Sequence, residues 1–494
     1  MEAGPGAIAL VVLGGLSLGF VAWYTALVHV PAAALRGDVL LWFAIPAGVI
    51  VALAGWLAYG QYFAKRGRVS LATALRNDAL SWAALLIAAA GIAQPFGPSS
   101  MGRTTAAAIA LFGIVKVVVA ARYNRTVRET LVTFVVTRVP IVFIAELAAA
   151  TIAPRPGLHI VESTNPLLAV WGRWDAVHYL EIAARGYYGT DMAFFPLYPG
   201  LIHALGRVVG NDLVAGLAIS NAAFFFGLLY FYKLVEHQWG RSVALRAIFY
   251  VSIFPAAVFF SAVYTESLFF ALTVASFYYI REHRWVTAGL LGGLAALTRV
   301  EGVLLFAPYV VEMVAADGVV EVRNLLDVPW RFARQVIGAA LIPLGLVAYM
   351  AMLWVLRGDP LYFSHVQEHW DRHFAPPWVS LWRSISVLTH AADPTAIAGQ
   401  SIELGFTLMM IGVLAFGWRR LRPSYVVYMV LSILVPLSTS SLMSTPRFAL
   451  VLFPMFVVLA LWGERSWVNS TIVAFSLPLL GLFTVLFANW YWVA

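Results

Sequence analysis

Long apolar runs separated by short polar breaks extend along the whole chain. A run of roughly 20 apolar residues is long enough to cross a bilayer as an α-helix. The pattern therefore predicts an all-α polytopic membrane protein with about fifteen spans. The predicted spans lie near residues 7–29, 39–60, 78–96, 104–121, 133–153, 211–236, 246–262, 264–281, 285–299, 301–315, 335–356, 401–418, 424–441, 447–463 and 468–492.

The segment 194–210 departs from this pattern. It contains Pro196 and Pro199 and is short for a full crossing, so we interpret it as re-entrant. The first apolar run has no basic segment before it, which favours a retained span over a cleaved signal peptide.

Composition narrows the function classes. Hydrophobic residues make up 62% of the chain and charged residues 11%, far from the composition of soluble domains. The chain has no cysteine, which excludes disulfides, thiolate metal sites and cysteine nucleophiles. The net charge of +8 does not indicate nucleic-acid binding, because no basic stretch has the length or aromatic interleaving such a site needs.

Basic residues instead indicate the topology. With a cytoplasmic N-terminus, all lysines and most arginines fall on the inner side, as the positive-inside rule requires. Arg138 is one of these arginines. The same orientation places five motif-like stretches on the outer face. They are "WDAVHYLE" from Trp174, "YTES" from Tyr264, "LTRVEG" from Leu297, "GDPLYFSHVQEHWDRH" from Gly358 and "STPR" from Ser444. Because polar groups at membrane depth are costly unless they line a site, the gathering predicts one extracytoplasmic chamber. Ordinary loop ends are the alternative.

The first of these stretches has helical periodicity. Asp175, His178, Glu181, Ile182 and Arg185 fall on one side of a helix, with small and apolar residues on the other, which predicts an amphipathic interfacial helix. A surface helix with solvated charges is the alternative. Asp175 opens the helix, where backbone N–H groups favour a charged carboxylate. Such a carboxylate could accept a proton from an incoming hydroxyl.

Several segments together resemble a known family. "RWDAVHYLEIAARGY", "AFFPLYPGLI", "SNAAFFF", "FPAAVFFSAVYTESLF", "GLLGGLAALTRVEG" and "STPRFALVLFP" occur in an order that resembles the PIG-V family over residues 131–494. The resemblance implies a GT-C-type glycosyltransferase transmembrane bundle with extracytoplasmic amphipathic helices. We interpret residues 1–130 as an accessory N-terminal bundle of about four spans.

The resemblance also implies a reaction and its partners. It is the inverting transfer of mannose from a dolichyl- or polyprenyl-phosphate-mannose donor to a hydroxyl of a lipid-linked or glycan acceptor, on the extracytoplasmic face. The membrane would be the plasma membrane in a prokaryote and that of the endoplasmic reticulum in a eukaryote. Membrane lipids are the other expected partners.

The candidate site residues follow from the needs of that reaction. The position of the catalytic Asp in GT-C enzymes matches Asp175, which would be the general base. Arg447, Arg299 and His178 are candidates to hold the lipid phosphate, since cations can stabilise its charge. Glu266 could bind sugar hydroxyls or orient a cation, and the outer loop from Gly358 could form a lid. The full set of expected substrate-binding residues is Trp174, His178, Tyr264, Glu266, Arg299, His365, Gln367 and Arg447.

Structural roles are the alternatives for these residues. Arg447 could be a cation that reaches towards the interface from a helix start, and Arg299 could form a buried pair with Glu301 or Glu266. Glu266 could equally be structural.

Two other function classes remain open. His365, Glu368 and His369 read H-x-x-E-H, a pattern of some metalloproteases, although such short matches are often incidental. A lipid-linked sugar transporter or flippase would also suit many spans and a polar outer chamber, but paired broken helices in internal repeats are not evident. The chain has no D-x-D motif, and a monophosphate donor can be held by Arg and His alone, so we expect no metal and no cofactor.

Overall fold

A computed structural model describes residues 113–114, 117–118, 120–155, 166–321 and 329–493. The chain divides into two compact units, residues 1–119 with 207–210 and residues 120–206 with 211–494. The second unit carries every candidate site residue. Regular secondary structure within the described residues is helical, apart from one isolated β-bridge between Phe374 and Thr439.

The α-helices are numbered here in chain order. They are α1 (Arg125–Thr151), α2 (Pro166–Ala169), α3 (Ala176–Arg185), α4 (Leu197–Val209), α5 (Asp212–Ile253), α6 (Glu266–Arg281), α7 (Trp285–Ala296), α8 (Phe306–Glu321), α9 (Pro329–Arg357), α10 (Tyr362–His365), α11 (Pro377–His390), α12 (Pro394–Gly417), α13 (Pro423–Leu437), α14 (Thr445–Val451), α15 (Phe453–Trp462) and α16 (Ser466–Ala488). Short 3-10 turns at Val170–Gly172, Gly189–Ala193, Ala257–Phe260, Val300–Leu305, Val366–Trp370 and Trp418–Arg420 connect several of them.

The prediction of a helical multi-pass membrane protein is confirmed, whereas the count of about fifteen spans is not. Among the described residues, five helices are long and apolar enough to cross a membrane, and the bent pair α14–α15 makes a sixth if it is one span. The predicted spans 7–29, 39–60 and 78–96, and most of 104–121, lie outside the described residues. The division at residue 130 therefore stays a prediction.

Two predicted spans meet without a loop. The run 211–236 and the first part of the run 246–262 fall on α5, a 42-residue helix interrupted at Gly240, where φ is 80°. Glycine reaches this left-handed conformation without steric cost, so the backbone changes direction there with no intervening loop. The sequence pattern predicted two spans because polar residues around this bend interrupt the apolar run.

A third predicted span is broken. The run 447–463 forms α14 and α15, which are bent by 74°. Pro454 stands in the first turn of α15 and cannot donate the hydrogen bond that would continue α14. The break leaves α14 as a short helix that begins beside the candidate site.

The segment interpreted as re-entrant forms a short helix. α4 has 13 residues, a length of about 20 Å, which is less than the roughly 30 Å of a bilayer core. It follows the 3-10 turn Gly189–Ala193 and the extended residue Phe194. Its length agrees with a segment that does not cross completely.

Arg138, which the charge pattern counted on the inner side, falls within the predicted span 133–153. It is buried in α1, where Nη1 donates to the carbonyl of Ala257 at 2.7 Å and Nη2 donates to the carbonyl of Ser252. These carbonyls belong to the last turn of α5 and to the 3-10 turn Ala257–Phe260, and such buried backbone groups need partners. The arginine thereby fixes the segment that leads to Tyr264 and Glu266.

Glycines allow α7 and α9 to touch backbone to backbone. A Cβ on Gly289 would lie 1.9 Å from the carbonyl oxygen of Gly338, and one on Gly345 would lie 2.0 Å from that of Gly293. Small residues at such contacts let helices in lipid approach closely. This packing fixes the end of α7, which Arg299 follows at the start of the 3-10 turn Val300–Leu305.

Candidate active site

The centre of the site is an ion-pair network around Arg447. Its Nη1 donates to Asp175 Oδ2 at 2.6 Å, and its Nε donates to Glu266 Oε1 at 2.6 Å. Aromatic rings enclose the guanidinium, with Tyr264 at 4.9 Å and Phe259 at 5.3 Å from ring centroid to Cζ. Two of its three nitrogens therefore already donate hydrogen bonds to carboxylates.

Arg299 extends the network. Its Nη1 donates to the same Glu266 Oε1 at 2.9 Å, and its Nη2 donates to Glu301 Oε1 at 3.1 Å. The buried pairs that were the structural alternative for Arg299 are thus both present. Glu266 Oε2 is buried and has no hydrogen-bond partner among the described residues.

The turn at Arg173–Asp175 positions the Asp175 side chain beside Arg447. Trp174 adopts φ 58°, a left-handed conformation that is costly for a large side chain. Tyr264 secures the turn, because its hydroxyl accepts from Asp175 N at 3.2 Å and donates to the carbonyl of Arg173 at 3.2 Å. Trp490 and Trp492 pack on the Trp174 ring, with centroids 5.7 and 5.3 Å away.

The physical reason given for Asp175 from the sequence is wrong in one respect. Asp175 stands at the start of α3, but its φ of −57° and ψ of −22° are helical, and its side chain makes no capping hydrogen bond. The carboxylate turns to Arg447 instead, because a guanidinium offers a stronger, charge-assisted hydrogen bond. The predicted faces of α3 also need correction, since Ile182 is buried and Ala184 is exposed.

Exposure distinguishes the carboxylates of the network. The Asp175 side chain is 27% exposed, whereas those of Glu266 and Glu301 are 0% and 7% exposed. Asp175 Oδ1 accepts no hydrogen bond from the residues that the structure describes. Of the three, Asp175 is therefore the one with an accessible oxygen to receive a proton.

His178 lies one turn further along α3. Its Nδ1 is 2.8 Å from Asp191 Oδ1, and its ring stacks on Phe194 with centroids 4.6 Å apart. The ring edge meets Trp370 from the outer loop at 6.3 Å. The histidine is held in one orientation, with Nε2 left without a hydrogen-bonded partner in the described part of the chain.

His178, Glu181 and Asp191 are also close enough to hold a metal ion. One potential ligand atom from each lies within 4.8 Å of the others. The spacing His178 to Glu181 puts both on one face of α3. Neither Glu181 nor Asp191 stood among the candidate residues from the sequence.

The H-x-x-E-H pattern does not form the helical site of a metalloprotease. His365 ends the four-residue α10, and His369 lies in a 3-10 turn, so the two side chains do not share an α-helical face. His365 Nδ1 is 2.7 Å from Asp359 Oδ2, and this hydrogen bond lowers the pKa of Asp359. Gln367 offers its backbone carbonyl to Arg372 N at 3.2 Å. In the described residues, neither His365 nor Gln367 hydrogen-bonds to the Arg447 network.

Sequence reasoning missed Glu403, which lies inside an apolar run. Its Oε1 and Oε2 accept from the backbone N–H groups of Ser444 and Thr445 at 2.9 and 2.7 Å. The carboxylate thereby holds the first turn of α14, from which Arg447 projects. A lone acid in a predicted span was the available signal, since such residues are costly in lipid.

Comparison with known proteins supports the motif-based resemblance. Residues 118–326 match the family model of the mannosyltransferase PIG-V, which confirms a PIG-V-like segment in this chain. Asp175, Glu266 and Arg299 lie within the matched residues. Arg447 lies beyond them, so the match is narrower than the range 131–494 over which the motifs resemble the family.

Similar curated proteins carry related names. GPI mannosyltransferase 2 of Chaetomium globosum is 26% identical over 251 residues, which cover 43% of this chain and 53% of that protein. GPI alpha-1,6-mannosyltransferase 2 of Mus musculus is 33% identical over 157 residues, which cover 28% of this chain and 30% of that protein. The chain thus spans about half the length of the Chaetomium protein and less of the mouse protein.

Among solved structures, the oligosaccharyltransferase of Archaeoglobus fulgidus, in complex with zinc and sulfate, is similar at 15% sequence identity. The alignment covers 71% of this chain and 52% of that chain, with a TM-score of 0.32.

Proposed function

We propose that the protein is a GT-C-type membrane glycosyltransferase that moves mannose from a polyprenyl- or dolichyl-phosphate-mannose donor to a hydroxyl of a lipid-linked or glycan acceptor. One observation carries the proposal. Asp175 has one carboxylate oxygen held by a buried arginine and the other open to an incoming group. The names of the relatives support mannose as the sugar and a GPI precursor as the class of acceptor.

The proposed reaction is a single displacement at the anomeric carbon. The acceptor oxygen forms a bond to C1 as the bond from C1 to the phosphate oxygen breaks, and the configuration inverts. The acceptor proton passes to Asp175 Oδ1, and polyprenyl phosphate leaves with the bonding electrons. A positioned base of this kind contributes about 10²- to 10⁴-fold.

Within this proposal the buried cations have separate tasks. Arg447 holds Asp175 through Nη1, which makes it a positioning residue for the base. Arg299 neutralises Glu301, which otherwise would be a buried charge without a close partner, and shares Glu266 with Arg447. His178 is held by the contacts of its ring with Asp191 and Phe194, and when both ring nitrogens carry a proton its Nε2 can donate to the donor phosphate.

The proposed orientation places the site on the extracytoplasmic face. Tyr188→Cys and Phe374→Cys would put thiols at side chains that are 82% and 86% exposed in the wild type. With the N-terminus inside, an impermeant thiol reagent added outside intact cells should label both variants but not Arg420→Cys. The absence of native cysteines keeps the background low. External labelling at Arg420→Cys alone would reverse the orientation.

We further propose that transfer needs no metal, because a monophosphate donor carries less charge than a nucleotide diphosphate. A chelator should change the transfer rate by less than about twofold. Removal of a metal Lewis acid would instead raise the activation barrier by several kcal/mol and nearly abolish transfer. The measurement is transfer by purified protein before and after chelation. Loss of activity that Zn²⁺ or Mn²⁺ restores in the wild type, but not in Asp191→Asn, would place a required metal at His178, Glu181 and Asp191.

The function is tested by incubating the purified protein with donor labelled in its mannose and a lipid extract. The expected result is labelled mannose in a new glycolipid, identified by mass spectrometry. A lipid-linked sugar transporter would instead move the donor across proteoliposome membranes and leave its sugar bond intact. Intact donor after long incubation, together with such movement, would replace the transferase proposal.

A further inference from the structure

Two arginines lie over the ring of Phe448, the residue that follows Arg447 in α14. The Phe448 ring centroid lies 5.6 Å from Arg299 Cζ and 5.9 Å from Arg372 Cζ. Arg372 comes from the outer loop after α10 and was not among the candidates from the sequence. It thus brings a third guanidinium into the region of the network.

Arg372 differs from the other two arginines in its partners. Arg447 and Arg299 each donate to two carboxylates. In the described part of the chain, the Arg372 side chain makes no hydrogen bond or close ion pair, and Glu301 and Glu403 act on it only at longer range. Partial burial lowers the pKa of Arg372, so the cation loses part of its hydration without gaining a bonded anion.

The backbone around Arg372 is firmly built. Ser440 N donates to the carbonyl of His373 at 3.0 Å, His373 N donates to Ser440 Oγ at 3.2 Å, and Ser440 Oγ donates to the carbonyl of Asp371 at 2.9 Å. Asp371 itself adopts φ 54°, a left-handed conformation. These bonds fix the loop to the segment before α14 and hold the guanidinium in one region rather than free in solvent.

We propose that Arg372 binds the phosphate of the lipid-linked donor, an inference that rests on the proposed function. A guanidinium presents a rigid fork of N–H donors that matches phosphate oxygens in a bidentate arrangement. Arg447 and Arg299 each already pair with two carboxylates, whereas Arg372 pairs closely with none among the described residues. Binding the phosphate would give this cation the anion that the protein does not supply.

The assignment also fits the order of groups along the site. Arg372 contacts the ring of Phe448, which follows Arg447 in the chain, and Arg447 Nη1 holds the proposed base. Trp370, two residues before Arg372, contacts His178, the other proposed phosphate ligand. The outer loop therefore places the Arg372 guanidinium and the Trp370 ring in the region of the proposed base Asp175 and the proposed phosphate ligand His178.

The test is binding of a sugar-free polyprenyl monophosphate to the purified full-length protein. Arg372→Gln should weaken this binding by about 10- to 100-fold, the usual cost of losing charge-assisted hydrogen bonds to phosphate. Arg372→Lys keeps the charge but not the fork, so it should recover part of the affinity. In the transfer assay, Arg372→Gln should raise the KM for donor more than it lowers kcat.

Arg383→Gln is the matched control. Arg383 lies on α11, is exposed and pairs with Asp371, so its loss disturbs the same loop without removing the proposed ligand. It should bind polyprenyl phosphate as the wild type does. Equal weakening in Arg383→Gln and Arg372→Gln would assign the effect to loop geometry and overturn the proposal.

Three further outcomes separate the possible failures. Wild-type affinity in a folded Arg372→Gln variant would overturn the phosphate assignment while leaving the proposed function intact. If instead the variant loses affinity for phosphatidylinositol but not for polyprenyl phosphate, the cation serves the acceptor, and the donor assignment is wrong. A wild-type protein that binds no polyprenyl phosphate would contradict the proposed function itself.

Discussion

Replacing Arg447 with alanine is expected to lower the free energy of unfolding by about 3–5 kcal/mol and to abolish sugar transfer. The Arg447 and Glu266 side chains are 7% and 0% exposed, so the substitution leaves a buried carboxylate with one cation instead of two. It also frees Asp175 from the contact that orients it. Denaturant unfolding in detergent, followed by tryptophan fluorescence, measures the loss.

A matched exposed pair provides the control. Arg125 is 52% exposed and donates to Glu236, and such surface pairs contribute about 0–1 kcal/mol. Arg125→Ala should therefore unfold close to the wild type. An Arg447→Ala protein as stable as Arg125→Ala would contradict the claim that the network is held by buried charge.

A double variant separates stability from chemistry. Replacing Glu266 with Gln in the Arg447→Ala background removes the carboxylate that lost its partner, so part of the stability should return. Transfer should remain absent, because Asp175 still lacks the guanidinium that positions it. Recovery of both properties would assign Arg447 a purely structural role.

Much of the site could be predicted from local sequence. Asp175, Glu266, Arg299 and Arg447 all stand in polar stretches at the ends of apolar runs, where the cost of burying charge is itself a signal. Their pairing could not be predicted, since Arg447 and Asp175 are 272 positions apart. Which carboxylate an arginine meets depends on packing between segments that are distant in the sequence.

Other features could not be predicted, because their signals in the sequence are weak or ambiguous. Glu403 and Arg138 are single charges inside apolar runs, and only tertiary packing reveals the backbone groups that they bind. The bend at Gly240 looked like a loop, because hydropathy records polarity and not direction. Arg372 looked like an ordinary loop cation, since nothing local distinguishes a guanidinium left without a carboxylate.

Asp175→Asn is expected to slow the chemical step by about 10²- to 10⁴-fold while leaving folding and donor binding close to the wild type. Asparagine has nearly the same size, and its carbonyl oxygen can still accept from Arg447 Nη1. The substitution therefore removes the charge and basicity of the side chain with little change in packing. Asp393→Asn is the control, because Asp393 caps the exposed start of α12 and should not affect transfer.

The decisive measurement is the single-turnover rate of mannose transfer by donor-loaded wild type, Asp175→Asn and Asp393→Asn, with donor affinity and unfolding measured on the same preparations. We predict a rate lower by about 10²- to 10⁴-fold for Asp175→Asn alone, at unchanged donor affinity. A folded Asp175→Asn protein that transfers mannose at the wild-type rate would contradict this prediction.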